Sequence, residues 1–409
     1  MIYAYGGDER RPLFTPCLQM YIHADPLHST QVCPHRPEKS LPMLSDDNPG
    51  NYDVGEVRQL NAKSRLVESA IWESAGHNTL AKLHATAAHK HNSEDITADD
   101  RALAVCKEAC ALLNGFDETE SRSSTYTQAL WHLHDSFYKT HPNPVSTLFP
   151  HTYVEILMSS LISRGQLDDA ASLLPLLLSV SPLHRHGAGL PQHVSSMMSA
   201  VKLLTRQGRL EQALDINDRM CGLCDRSKLR VQHANLLLQR AEVFMESEGG
   251  EVRAIQPLMR CLGVCEAAGM GTLHAVALLV LGGINLRLGE WRRAERLVSE
   301  NMGKILEHAD VEKQGDAWMV LAKCQLSRMG EGEEGAPAAV ALKECARFLR
   351  LGLETYERCD CVRGRTEATY LRSMVESLGE GGEQEECAEE FGRLEAQRME
   401  GAAYCFVSS

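Results

Sequence analysis

The chain of 409 residues carries 42 Lys and Arg against 55 Asp and Glu, a formal charge of −13. That balance argues against a protein that neutralises nucleic-acid phosphates or lies on anionic lipid. Hydrophobic residues make up 44% and aromatics only 5%, a Leu- and Ala-rich mixture that favours helix packing over a β-sandwich.

Residues 1–55 are punctuated by Pro12, Pro16, Pro26, Pro34, Pro37, Pro42 and Pro49, at intervals too short for a long helix. They read as an irregular, disordered leader. Asp8, Glu9, Arg10 and Arg11 precede any apolar run, so no secretory signal is recognised. The first helical pair is expected at 60–75 and 80–91, packed through Ile71, Trp72, Leu80 and Leu83. Thr97 with Asp100 has capping-box spacing and opens a helix carrying Leu103, Val105, Cys106, Ala109, Leu112 and Leu113. Residues 126–138 are its expected partner.

From residue 150 a repeat becomes readable. SRGQLDDAASLL, TRQGRLEQALDI and RLGEWRRAERLV share a Gly, a bulky residue two later and an Ala five later. The triplets are Gly165/Leu167/Ala170, Gly208/Leu210/Ala213 and Gly289/Trp291/Ala294, with a weaker copy at Gly249/Glu251/Ala254. Gly suits a left-handed inter-helix turn, and Ala lets the second helix approach the first closely. Pro182, 12 residues after Ala170, stands where such a repeat often terminates. The stretch 271–300 is the clearest hairpin. Leu273, Val276, Ala277, Val280, Leu281, Ile284 and Leu288 recur at steps of three and four, and Leu278, Leu279 and Leu286 make the other faces apolar too. His274 and Asn285 interrupt the run, which is shorter than the roughly 20 residues a bilayer core requires.

These hairpins resemble the tetratricopeptide repeat (TPR). The alanines are spaced 43, 41 and 40 residues apart, against about 34 in the ordinary repeat, so the helices are longer by about a turn and a half per pair. Further pairs are expected at 311–327 with 338–356, joined through the acidic insert GEGEEG, and at 364–378 with 386–399. The fold class is therefore all-α: a right-handed superhelix of TPR-like helical hairpins with 40–43-residue repeats over 56–399, followed by a loose tail at 400–409.

No pattern for catalysis, metal or cofactor binding stands out. Cys221-Gly-Leu-Cys224 has redox spacing but lies in a helical context. It reads, with Cys106/Cys110 and Cys261/Cys265, as buried small residues on one helix face. Free thiols of this kind fit a reducing compartment. The histidines at 84, 89 and 91, at 132 and 134, and at 184 and 186 lack a matching Cys pair or an HExxH arrangement. The glycines at 187–189 and 269–271 have no Rossmann spacing, and no Walker lysine follows a glycine loop. Asp168 and Asp169 sit where the positive end of a helix dipole meets them. Trp72, Trp131, Trp291 and Trp318 are expected in the core, and as partner anchors only where exposed. The acidic balance suggests a basic partner surface.

The segments 230–247 (RVQHANLLLQRAEVFMES), 270–291 and 305–327 (ILEHADVEKQGDAWMVLAKCQLS) resemble the family of anaphase-promoting complex subunit 5. That family has a helix like ANxLLxLAE and one like LAKCxLS at a similar separation. Residues 64–85, with Trp72, Glu73 and Gly76, are similar to its "WE…G" helix. The resemblance spans about 60–390 in the same order. It implies a non-catalytic scaffold subunit of a cell-cycle E3 ubiquitin ligase, without cofactor, zinc or small-molecule substrate. Implied partners are platform subunits 1 and 4 and the TPR-arc subunits, in nucleus and cytoplasm. Neither nucleic acid nor membrane is implied. Members of the family have a folded helical region before the repeats, which residues 1–55 cannot supply. The alternatives are a proteasome-lid-like scaffold, which needs a winged-helix module, and a sensor superhelix, which needs an effector domain.

Overall fold

The computed structural model describes residues 54–75, 78–90, 98–114, 124–140, 148–180, 189–330, 338–378 and 387–396. The expected leader up to residue 53, Thr97 of the expected cap, Pro182, the insert around 331–337 and the tail at 400–409 lie outside these. In chain order the helices are α1 (Val54–Ala75), α2 (Asn78–Lys90), α3 (Ala98–Asn114), α4 (Thr125–Thr140), α5 (Leu148–Ser163), α6 (Leu167–Val180), α7 (Leu190–Arg206) and α8 (Leu210–Arg226). They continue as α9 (Arg230–Met245), α10 (Glu251–Ala268), α11 (Gly271–Arg287), α12 (Trp291–His308), α13 (Val311–Gly330), α14 (Ala338–Arg358) and α15 (Val362–Leu378). A short α16 covers 387–396. No strand occurs among the described residues.

The architecture is a right-handed superhelix of TPR-like hairpins. Each odd-numbered helix packs on the even one that follows, and α1, α3, α5, α7, α9, α11, α13 and α15 stack in sequence along one wall. The sequence reason is local. Ala170, Ala213, Ala254 and Ala294 are all fully buried, so each second helix begins with a side chain small enough to let the backbones close up. Helices α7 to α12 run 16 to 18 residues, which accounts for the long repeat.

The turns share one hydrogen-bond pattern. At α11–α12, Gly289 adopts φ 84°, its N–H donates to the Leu286 carbonyl (3.1 Å), and the Glu290 N–H donates to the Asn285 carbonyl (2.8 Å). This is a Schellman motif, which satisfies carbonyls the helix end leaves open. The same pair of bonds recurs at Gly165, Gly208 and Gly269, and also at Lys228 and Asp360, which hold φ 60° and 50° without being glycine. The weaker copy at Gly249 is built differently: a Cβ at Gly250 would stand 1.8 Å from the Phe244 carbonyl oxygen, so the backbone itself passes there.

The largest core runs from Ala234 to Leu321 and includes Leu258, Cys261, Ile284, Val298 and Ile305. Burying each large aliphatic side chain contributes about 1.5–3 kcal/mol. The α11 helix is covered on several sides as its sequence requires, with Val276, Ala277, Leu279, Gly282 and Ile284 all buried. Packing in α2 differs from expectation. Leu80 and Leu83 are exposed, and Ala81, Ala85 and Ala88 face inward instead, because small residues let α2 lie close to its neighbours.

Candidate functional site

The stacked odd-numbered helices form the inner wall of the superhelix, and helices remote in sequence meet across it. Glu312, in the first turn of α13, accepts from Lys202 Nζ (2.9 Å) and Arg206 Nη2 (2.6 Å), both on α7. Lys313 Nζ lies 2.8 Å from Glu242 Oε1 on α9 and 3.2 Å from Asp316 Oδ2. Arg363 on α15 donates twice to Glu246, at 2.7 and 2.9 Å. Arg164, after α5, donates to Asp360 at the α14–α15 turn at 2.9 Å. Tyr126 of α4 packs beside the core of α13, α14 and α15, and α1 touches α11. The array therefore closes across its own interior.

The electrostatics follow from this geometry. Burial alone would raise the Glu312 carboxyl, but Lys202, Arg206 and Lys313 outweigh it and hold it far below the ordinary value. Lys202 is raised in turn, chiefly by Glu312. Asp310 is pushed up by burial and by Glu312, while its carboxylate still caps α13 by accepting the Lys313 N–H at 2.7 Å. Glu246 is lowered: burial opposes this, and the Arg363 hydrogen bond and charge prevail. Behind this network Tyr356 donates to Asp316 Oδ1 at 2.8 Å. Its ring lies against two glycines, since a Cβ at Gly315 or Gly364 would fall 2.5 or 2.4 Å from Cε1.

Beside these contacts a half-open cavity of about 870 Å³ runs along the inner wall. Met198, Val231, Val276 and Val280 give it an apolar floor, with Asn235, Gln239 and Thr272 among them and the ion pairs at its margin. Of the acids lining this face, Glu242, Glu246, Glu312, Asp316 and Glu367 each have a basic partner.

Residues considered for chemistry are scattered. Cys221 and Cys224 lie on α8, and burial pushes their thiols up to about 11 and about 12, away from nucleophilic thiolate. Cys106 is also driven up to about 12 by burial. His84 Nδ1 faces Glu68 at 2.8 Å, and His132 Nε2 faces Glu108 at 3.0 Å, on different hairpins. Among the described residues no group of three or more His, Cys, Asp or Glu is arranged to hold a metal ion, and no helix is long and apolar enough to cross a membrane. His91, His184 and His186 lie outside the described residues.

Trp291 is buried and Trp318 stacks on Phe348 with centroids 5.8 Å apart. Trp131 departs from the core expectation at 66% exposed, because α4 turns Ala129 and Leu133 inward instead. The inner-wall amides and ion pairs were not singled out from sequence. Their one advance signal is polar spacing on α9, where Asn235, Gln239, Glu242 and Glu246 recur at three and four residues.

No protein-family model matches the chain, and no curated protein matches it. Among solved structures it is similar to a Rap protein complexed with competence and sporulation factor, with TM-score 0.49 and 12% identity over 85% of this chain and 96% of that one. It is similar to a signal-transduction ATPase with a tetratricopeptide repeat sensor from Pyrococcus horikoshii, with TM-score 0.41 and 12% identity, covering 87% of this chain and 50% of that one. A third is the Cut9–Hcn1 hetero-tetramer of the anaphase-promoting complex, with TM-score 0.29 and 12% identity over 84% and 73%.

Proposed function

We propose that the chain is a non-catalytic scaffold that holds other proteins through the inner wall of its TPR-like superhelix. The observation that carries this reading is the cavity of about 870 Å³ along the stacked first helices, floored by apolar side chains and framed by ion pairs. Most of its charges are answered by opposite charges in a network, which suits shape recognition better than acid–base chemistry on a substrate.

The finer reading is a scaffold subunit of the anaphase-promoting complex, an E3 ubiquitin ligase of the cell cycle, working in nucleus and cytoplasm beside platform subunits 1 and 4 and the TPR-arc subunits. What supports it is the resemblance of 230–327 to the subunit 5 family, in order and spacing. A tagged chain purified from cells is expected to bring down subunits of that complex, identified by mass spectrometry. Recovery alone, or with unrelated proteins, removes this assignment. The purified chain is expected to show no ubiquitin-ligase or hydrolase turnover, and measurable turnover overturns the non-enzyme reading.

A sensor superhelix is the second reading. It is favoured by contacts across the interior, beside which lies a half-open cavity whose volume is within the range of ligand sites.

A further inference from the structure

A second cavity, half-open and of about 510 Å³, shares no lining residue with the one on the inner wall. Its walls are the α8–α9 turn, the first half of α9 and the second half of α10. Leu229 and Leu237, both buried, and the half-buried Val264 give it an apolar floor. Lys228, Arg230 and Arg260 are exposed around it, with His233 between floor and rim. Asp225 is the one acid in the lining, and among the described residues none of the three cations forms an ion pair.

The backbone singles out Lys228. The α8–α9 turn makes the same pair of hydrogen bonds as the turns at Gly165, Gly208, Gly269 and Gly289, yet Lys228 holds φ 60° where they have glycine. A side chain in that conformation is strained. Asp360 is the other non-glycine residue at positive φ among the described residues, and its carboxylate is used within the chain, accepting from Arg164 at 2.9 Å. The Lys228 ammonium has no such use. A strained, unpaired cation beside two further unpaired cations answers to something outside the chain.

Resting on the scaffold reading, we infer that this cavity receives a phosphorylated serine or threonine of a protein partner, whose neighbouring apolar side chain sits on Leu229, Leu237 and Val264. Charge selects the phosphate. Three cations less Asp225 leave two, which match the roughly −1.5 to −2 of a phosphorylated side chain better than the single charge of a carboxylate. The guanidinium forks and the ammonium also supply enough donors for three phosphate oxygens. The chain as a whole carries −13, which repels an extended anionic surface such as lipid or nucleic acid while leaving a local site for one small anion. Size selects a side chain beside the phosphate, since a bare ion leaves the apolar floor uncovered. Burial holds His233 below the ordinary histidine value, with Asp225 opposing and Arg260 adding to it. A phosphate held among Lys228, Arg230 and Arg260 favours the imidazolium, so binding and protonation of His233 reinforce each other.

The test presents the full chain with a degenerate peptide library fixed at a central phosphoserine, and measures the enriched sequences by calorimetry. Selected peptides should carry an apolar residue next to the phosphoserine, and their unphosphorylated forms should bind at least about tenfold more weakly. Lys228→Gly and Arg260→Gln should each weaken binding about tenfold. In Lys228→Gly the thermal midpoint should stay or rise, because glycine relieves the strained turn; a lysine with a structural role alone would move the melt and leave the affinity. Gly263→Leu fills the apolar part, since Gly263 lines the cavity and a Cβ there meets nothing within 4 Å. It should erase the preference for an apolar neighbour. The His233 imidazole, followed by NMR, should titrate at higher pH with the phosphopeptide bound.

Equal affinity for the unphosphorylated peptides, or an affinity indifferent to Lys228→Gly and Arg260→Gln, would overturn the inference. So would inorganic phosphate or phosphatidylserine vesicles binding as tightly as the selected peptides. If a tagged chain carrying Lys228→Gly and Arg260→Gln still brings down every protein partner of the parent, the inference fails and the scaffold reading stands. If the phosphopeptides bind as described but the parent chain brings down no protein from cells, the scaffold reading fails and the phosphate site stands.

Discussion

The spine of the superhelix and its closure are held by different physics. Along the spine, contacts are short-range and repeated: Ala213, Ala254 and Ala294 are fully buried at successive hairpins, and Schellman turns close the helices at Gly208, Gly269 and Gly289. Each repeat buries its neighbour, so stability accumulates from one hairpin to the next. Across the interior, contacts are few and remote in sequence: ion pairs such as Lys202–Glu312 and Glu246–Arg363, 110 and 117 residues apart, with Tyr126 packed beside the core of α13, α14 and α15. The difference teaches that length and curvature belong to the spine, while closure across the interior rests on a handful of contacts remote in sequence. One can be broken without the other.

The largest expected effect is on the spine. Leu258→Ala removes a fully buried side chain from the main core and should cost about 3 kcal/mol or more through lost transfer energy and the void left behind. The thermal midpoint should fall and helicity with it. An unchanged melt would mean the core around α10 closes over the gap.

Next is Glu312→Ala, which leaves Lys202 and Arg206 facing each other without their acid. Breaking a buried pair costs about 3–5 kcal/mol, and the low end applies because Lys202 is 35% exposed. Here helicity should persist while the radius of gyration in small-angle scattering rises. Acid should mimic this. The Glu312 and Glu246 carboxyls are held below their unfolded values. Their contribution is therefore complete above about pH 5 and is lost as pH falls through the folded values. Asp310, raised in the folded chain, works in the opposite sense, gaining rather than losing stability as it protonates. Opening on acidification at constant helicity supports the separation of closure from spine, and simultaneous loss of both refutes it.

A smaller effect is expected where spine and closure meet. Gly364→Ala would place a methyl 2.4 Å from the Tyr356 ring. Displacing that ring should cost about 2 kcal/mol, as overpacking does, and should disturb the Tyr356–Asp316 hydrogen bond. Tyrosine near-ultraviolet dichroism reads this directly, and a spectrum equal to the parent's would show that the ring has room to move. Smallest is Gly289→Ala, which forces a side chain to φ 84° and should destabilise by about 1 kcal/mol. A neutral result would show that the turn relaxes out of the left-handed region.

What could be read without coordinates follows the same division. The triplets at Gly165, Gly208 and Gly289 announced their turns because few residues other than glycine adopt that backbone at little cost. Lys228 and Asp360 make the same turn with no glycine to announce it, so the α8–α9 and α14–α15 joints carried no signal. In α2 the apolar periodicity favoured Leu80 and Leu83, while Ala81, Ala85 and Ala88 do the packing. Trp131 shows the limit of residue type as a guide to burial, since hydrophobicity says what can be buried but not which way a helix rotates.

By itself, the amino-acid sequence determined the elements: long helices, hairpins, close-packed alanines and a repeat of about 40 residues, all products of interactions within a few turns of chain. Only the tertiary structure decided that Glu312 meets Lys202 and Arg206, that helices remote in sequence meet across the interior, and that Gln239 is left with an acceptor unanswered. The physical reason is accumulation. Small rotations from one hairpin to the next sum over the array, and their total, which no local pattern encodes, sets which side chains face one another across the interior.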